Sequence, residues 1–490
     1  MSSTCMRLAL LLLTTLSGCT VGPDYQRPIV PIPDQWSQPA VVGSQAATAE
    51  ASANLAQWWR AFDDPTLDAL IEAALAENLD LKSAVARVRE ARAARAISAA
   101  GLYPALGANA SYEYARPFSE NSQIGSLAPP DILTVDLYQA AFDASWELDI
   151  FGGIRRGVEA ADADLAATED DERDVRVTLL AEVARAYVSI RSLERRLAIA
   201  HANADTQSGS LALTEDRFRS GLASKLDVTQ ARSLLATTEA QIPVLERERE
   251  LTLHALSVLL GRAPDALQTV LAAKASLPGS GESDALAVRI PVGLPSDLLR
   301  RRPDIRRAER RVAAATARSG VATAELFPKF TLMGLAGLES IHPGDFFTVG
   351  SRYFQAGPGM SWRLFEGGRT RAEIEVRDAQ TEEALRQYEQ AILTGLKDVE
   401  DALVAYGKDR ARRTALVDAV AADRESVALA EDLYVHGLGT YLNVLVAERS
   451  QYASEEALVQ VEQMLIVDLI ATYKALGGGW EATADEVASR

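Results

Sequence analysis

Histidine and cysteine are scarce in this 490-residue chain, and the few present do not cluster. His201, His254, His342 and His436 are scattered, and the cysteines are Cys5 and Cys19 alone. No pair has a metal-ligand spacing and no Ser, His or Cys constellation converges, so neither a metal site nor any catalytic residue is expected. Positive charge is also short: the net charge of −18 argues against a nucleic-acid partner. Beyond Leu16 no apolar run is long enough for a membrane-spanning helix. Gly152-Gly153 and Gly367-Gly368 lack the G-x-G-x-x-G spacing of a dinucleotide loop. Proline is missing from Arg155 to Phe218 and again from Arg369 to Tyr434.

What is present begins with a signal. Arg7 precedes the apolar Leu8 to Leu16, and Leu16-Ser17-Gly18-Cys19 closes the stretch like a bacterial lipobox. Residues 1–18 are therefore expected to be a lipoprotein signal peptide that carries Cys5 away. Cys19 becomes the lipidated first residue; this covalent lipid aside, no cofactor is expected. Residues 19–65 read as an extended, Pro-rich then Ala/Ser-rich segment, anchored by Trp58, Trp59 and Phe62. Asp64-Pro65 has the form of a helix start, and one helix is expected from Thr66 to Ala100.

The rest of the chain is written twice. Tyr138 to Arg156 alternates apolar and polar residues, ends on Ser-Trp-x-Leu and turns through two glycines; Phe354 to Arg371 repeats this. Leu102-Tyr-Pro answers Leu326-Phe-Pro, Gly221-Leu222 answers Gly437-Leu438, and Leu260-Gly261 answers Leu476-Gly477. Repeat 1 is placed at residues 66–270 and repeat 2 at 295–480, with a linker at 271–294 and a tail at 481–490. Each repeat supplies two alternating strands of the length a tilted membrane strand needs. On that reading Tyr112, Phe142, Trp146 and Trp362 face lipid, the two tryptophans near an interface. Glu113, Asp143 and Glu147 then face water.

Each uninterrupted helical run would extend on the order of 95 Å. Leu385, Tyr388, Ile392, Leu396, Val399, Leu403 and Tyr406 step by three and four as a coiled-coil seam does. The arginine-rich run from Arg300 to Arg311 is expected to be a solvated helix face that starts at Pro303-Asp304. Strands that enter a bilayer must close into a barrel, because an open edge in lipid strands its backbone polar groups. Four strands are too few for one chain to do so, since membrane barrels start at about eight. The chain must oligomerise.

The sequence resembles the outer-membrane factor family, the exit ducts of tripartite efflux pumps, in its lipoprotein branch. The resemblance is carried by Cys19-Thr-Val-Gly-Pro-Asp-Tyr, Trp58-Trp59 with Phe62, Asn78-Leu-Asp-Leu and the run from Gly293 to Ile305. Phe327-Pro, Trp362-Arg-Leu-Phe-Glu-Gly-Gly and Lys474-Ala-Leu-Gly-Gly-Gly-Trp complete it. It implies an α+β membrane protein, internally duplicated. Three chains would form a twelve-stranded β-barrel in the outer membrane, continued by a periplasmic α-helical barrel. It implies a homotrimer partnered by outer-membrane lipid, a periplasmic adaptor and an inner-membrane pump, in a passive channel for small molecules.

The resemblance also implies a periplasmic gate at Gly221 to Val228 and Gly437 to Val446. The family's gating Asp falls on Asp227 and its Tyr on Tyr434. The Arg position carries Gly439, and the acidic ring positions carry Asn443 and Val446. Val446 would form an apolar constriction. Two other readings stand beside this one: a duct for type I protein secretion, and a lipid-anchored coiled-coil scaffold with no pore.

Overall fold

The computed structural model describes residues 20–37, 55–115, 135–268 and 295–481. Its order is α1 (Pro65–Glu77), α2 (Leu79–Ala100), β1 (Ala105–Ala115), β2 (Val135–Leu148), α3 (Gly153–Arg219) and α4 (Lys225–Leu259). The second half repeats it with α5 (Pro303–Ala324), β3 (Lys329–Ser340), β4 (Arg352–Ser361), α6 (Arg369–Val435) and α7 (Tyr441–Ala475). The lipobox, residues 38–54 with nearly all of the Ala/Ser-rich segment, the loop around Ser119 to Pro130, the linker at 271–294 and the tail beyond residue 481 lie outside the described residues.

Helix α1 starts where the sequence signals it. The Asp64 carboxylate accepts the backbone N–H groups of Thr66 and Leu67 at 2.9 and 3.2 Å, and Pro65 fills the position that needs no donor. The single helix expected from Thr66 to Ala100 is in fact two. Asn78 leaves the helical region, with ψ at 132°, and its side-chain oxygen accepts Leu81 N–H at 2.8 Å as a new cap. Asn competes well with the backbone for such bonds, so a second helix begins there without a proline.

The duplication is visible in how helix ends meet. Gly261 ends α4 at φ +67°, and a Cβ there would lie 2.5 Å from the Glu77 carbonyl oxygen. Gly477 does the same after α7 at φ +72°, against the Arg301 carbonyl at 3.0 Å. Only glycine meets both demands, a left-handed backbone and a neighbouring chain at its α-carbon. The matching side chains bridge the same ends: Asn78 donates to the Leu259 carbonyl at 2.8 Å and Arg302 to that of Ala475 at 3.2 Å.

Contacts divide the chain into two compact units, each drawing on both repeats. One contains residues 1–29, 88–168 and 308–388; the other contains 30–87, 169–307 and 389–490. The first holds the sheet. In the second, Trp58, Trp59 and Phe62 are buried as expected of anchors, with Trp58 stacked on Tyr473 at 5.3 Å. Of the predicted seam, Val399, Leu403 and Tyr406 are buried in that unit and Tyr388 and Ile392 lie on either side of the division, both buried.

The arginine-rich run departs from expectation. Arg302 is buried, bonded to Asp304 at 2.7 Å and to Asp398 at 3.0 Å. Arg306 reaches the buried Asp170, and Arg307 reaches Asp171 and Asp174 at 2.6 and 3.0 Å. Arg306 and Arg173 lie over the Trp480 ring, 5.1 and 5.0 Å from its centroid. Arg310 and Arg311 remain exposed. Half the run is an ion network because α3 and α6 bring it acidic partners from 96 to 136 positions away.

Candidate functional site

Three places in the fold bear on function, and the sheet is the first. All four strands are antiparallel in the order β1-β2-β3-β4, so the second strand of one repeat pairs with the first of the other. Tyr112 opposes Tyr138, Ala108 opposes Phe142, and Phe142 opposes Ala336, which opposes Phe354. Residues paired across strands share a face. One face therefore carries Leu106, Tyr112, Tyr114, Phe142, Trp146, Leu332, Phe354 and Met360, all exposed. Trp362 follows β4 in the same alternation and is also exposed. The other face joins Asn109 to Asp143 at 2.6 Å and Gln139 to Glu339 at 2.6 Å, and also bears Glu113 and Glu147. Strands β1 and β4 have no partner on their outer edges among the described residues.

The aromatic residues form two rows. Trp146 and Trp362 donate their indole N–H groups to the carbonyls of Leu102 and Leu326, each at 3.0 Å, at the helix end of the sheet. Tyr112, Tyr114 and Tyr138 lie at the opposite end, where the Tyr112 hydroxyl donates to Asp136 at 2.6 Å. The step from Tyr138 to Trp146 covers about 27 Å of strand and about 20 Å along the normal of a tilted strand, near the ~25 Å apolar band of membrane barrels. Phe142 falls midway.

The second place is the strand-to-helix turn after β2. Cys19 lies outside the described residues, but its neighbour Thr20 packs on Gly152, whose φ of +81° makes the turn. Val21 N–H donates to the Phe151 carbonyl at 3.1 Å, and the Gly22 α-carbon abuts Gly320. Arg156 holds Asp24, and Tyr25 and Arg27 both bond to Glu309. The extended segment is thus tied to the base of the sheet.

The third place is the pair of hairpin tips. Both close in one way: Gly221 at φ +74° and Gly437 at φ +73°, with Leu222 and Leu438 N–H each donating five residues back at 2.8 Å. Leu222 and Leu438 project, 68% and 78% exposed. Asp227 is engaged in a reciprocal cap with Ser224, accepting its N–H at 2.9 Å and donating its own to the Ser224 hydroxyl at 3.2 Å. The expected Asp227–Tyr434 hydrogen bond is not formed; the buried Tyr434 hydroxyl has no partner. The Tyr434 ring lies instead under Arg217, 4.8 Å from its guanidinium, and edge-on to Tyr441. Asn443 is exposed at the position of repeat 2 that corresponds to Asp227, and Val446 is 59% exposed.

A feature not anticipated runs along α7. Glu462, Glu455 and Glu448, spaced by sevens, are all buried. Glu462 accepts from Arg195 of α3 and Arg413 of α6, and Glu455 from Asn203 of α3 and Arg424 of α6. Among the described residues Glu448 accepts only from Ser210 of α3, at 2.5 Å. Burial pushes its carboxyl above the ordinary carboxylate range; the Ser210 bond works against this and the charge of Glu431 adds to it. The heptad spacing of three glutamates is a signal that the sequence carried.

Comparison with known proteins agrees with this geometry. The family model described as outer membrane efflux protein matches twice, at residues 70–262 and 294–478. The pyoverdine export outer membrane protein OpmQ of Pseudomonas aeruginosa is 36% identical over 461 residues, covering 94% of this chain and 93% of the relative. The solvent efflux pump outer membrane protein SrpC of Pseudomonas putida is 34% identical, covering 97% and 98%. Among solved structures, the outer-membrane channel OprN superposes with a TM-score of 0.83 at 36% identity, over 94% of this chain and all of that one.

Proposed function

Because the chain belongs to the outer membrane efflux protein family, we propose that it is a homotrimeric, passive exit channel, served by a periplasmic adaptor and an inner-membrane pump. The observation that carries this is the sheet: four strands, one face apolar between its two aromatic rows, and two edges unpaired among the described residues. Such a sheet is stable in lipid only when copies of it close into a barrel, and three copies make twelve strands. The polar face then lines the lumen. No described helix is long and apolar enough to cross a membrane, which leaves the strands to do so. Native mass spectrometry of the detergent-purified protein is expected to give a trimer, with discrete conductance steps in planar bilayers. A stable monomer with full strand content would sink the barrel.

The projecting Leu222 and Leu438, matched across the repeats, offer the adaptor two similar apolar tips. Asn443 and Val446 would line the constriction there, and with Asp227 committed to its cap, closure rests on packing around Tyr434 and Tyr441. Cargo is not specified by the duct. Relatives of nearly equal identity bear names for pyoverdine and for solvents, as expected if selection lies in the pump.

Cys19 is proposed to carry the lipid. Its neighbour Thr20 is held against Gly152, at the turn six residues beyond Trp146 in the chain, so acyl chains would enter the membrane from the helix end of the sheet, where the tryptophan row lies. Intact-mass analysis of the mature chain is expected to begin at an acylated Cys19, and an unmodified start there would rule the anchor out. In Cys19→Ser the oligomer should persist, since a barrel buries far more apolar area than acyl chains worth about 0.8 kcal/mol per CH₂.

A further inference from the structure

The unanticipated glutamate ladder stops one rung short of its pattern. At Glu462 and Glu455 an arginine of α6 meets the carboxylate; at Glu448 the residue of α6 alongside is Glu431. The other repeat shows what is missing. Glu431 corresponds to Glu215 and Glu448 to Arg232, and Arg232 pairs with Glu215 at 2.8 Å. Repeat 2 has kept the acid and replaced the base with a second acid. Among the described residues no cation pairs with either Glu431 or Glu448.

Space and unsatisfied polar groups adjoin here. A cavity of about 240 Å³ is lined by Gly209, Ser210, Glu431, Tyr434, Tyr441 and Val444. A Cβ on Gly209 would meet nothing within 4 Å. Glu448 is 3% exposed, with Oε2 unbonded; Gln207, one turn from Ser210, is 2% exposed with neither amide atom bonded; the Tyr434 hydroxyl is unbonded. Buried polar atoms are almost always satisfied, so an orphaned Tyr434 hydroxyl in the cavity wall, with the orphans of Glu448 and Gln207 close by the lining residue Ser210, points to a bound group.

We propose that this cavity is a site for a small organic cation bearing a guanidinium or alkylammonium group, held by Glu431 in its wall, with Glu448 behind Ser210 as the second carboxylate, beside the rings of Tyr434 and Tyr441. Two carboxylates supply the charge, and tyrosine faces favour a weakly hydrated cation. A metal ion suits the place poorly, because no group of three or more acidic, His or Cys side chains that could hold one is assembled among the described residues. Arg217 does not fill the role: it lies over the Tyr434 ring and donates to the Val435 carbonyl at 3.0 Å. An occupant would tie α3, α6 and α7 together just behind the hairpin tip.

The test is calorimetric titration of the full-length, detergent-purified protein with methylguanidinium chloride, against methylurea, its neutral isostere, at matched ionic strength. Saturable binding of methylguanidinium alone is expected. Glu448→Gln and Glu431→Gln should each weaken it at least about tenfold, as loss of a charge-assisted hydrogen bond does. Gly209→Leu, which fills the space, should abolish it. Glu448→Gln removes a buried charge, so its thermal midpoint should be unchanged or higher, separating lost binding from lost folding. Blocked arginine amide binding more tightly than methylguanidinium would identify the natural occupant as a protein side chain with the same head group. No saturable heat from any of these cations, or an affinity in both glutamine variants equal to that of the parent, overturns the proposal.

Discussion

Phe142→Arg should prevent most of the protein from assembling in membranes, while Ser145→Arg, three residues along the same strand, should be tolerated. Phe142 lies midway between the tyrosine row and the tryptophan row and is 64% exposed on the apolar face. An arginine at the midplane of a membrane barrel costs about 2–4 kcal/mol, and a trimer would carry three. Ser145 is exposed on the opposite face, opposite Ala105 and Met333. The yield of heat-resistant oligomer and the urea midpoint of protein refolded into vesicles measure the difference. A damaging Ser145→Arg with a silent Phe142→Arg would mean that the two faces are exchanged, as a one-residue slip of register does.

Arg302→Ala should be the most destabilising change outside the sheet. Its guanidinium is buried and divides its hydrogen bonds between Asp304, Asp398 and the Ala475 carbonyl. Deleting one member of such a network leaves buried carboxylates uncompensated, at about 3–5 kcal/mol. The exposed Arg310→Ala, two turns along α5, should fall within about 0.5 kcal/mol of the parent. Acid supplies a second reading. Burial alone would raise the Asp304 carboxyl, but the hydrogen bonds and charge of Arg302 outweigh it and hold the group below its ordinary 3.8. A depressed carboxyl stabilises the fold above its unfolded value, and that stability is lost as pH falls through the folded one. The gap in thermal midpoint between parent and Arg302→Ala should therefore be full at neutral pH and narrow below about pH 4. A gap that persists in acid would assign the loss to packing and not to charge.

Arg302 also marks where reading the chain alone fell short. Read in isolation, Arg300 to Arg311 looks like a charged surface helix, and nothing nearby in sequence argues otherwise. Its partners Asp170, Asp171, Asp174 and Asp398 are distant along the chain. The expected link from Asp227 to Tyr434 is absent for a related reason. Ser224-x-x-Asp227 is itself a helix-start signature, and the local cap took the carboxylate that a distant Tyr434 was expected to share. The unpaired Glu448 has significance only beside Glu431 and Ser210, which belong to other helices.

The sequence by itself determined the duplication, the faces of the strands, the glycine turns and the long helices. Each follows from short-range rules: a strand half in lipid must alternate, a left-handed turn must have glycine, and a helix runs until something caps or breaks it. Only the tertiary structure decided which charges are interior and which carboxylates are already engaged. Those outcomes depend on pairs of groups brought within about 3 Å by helices folding past one another, and the pattern along one helix does not encode what the next will set against it.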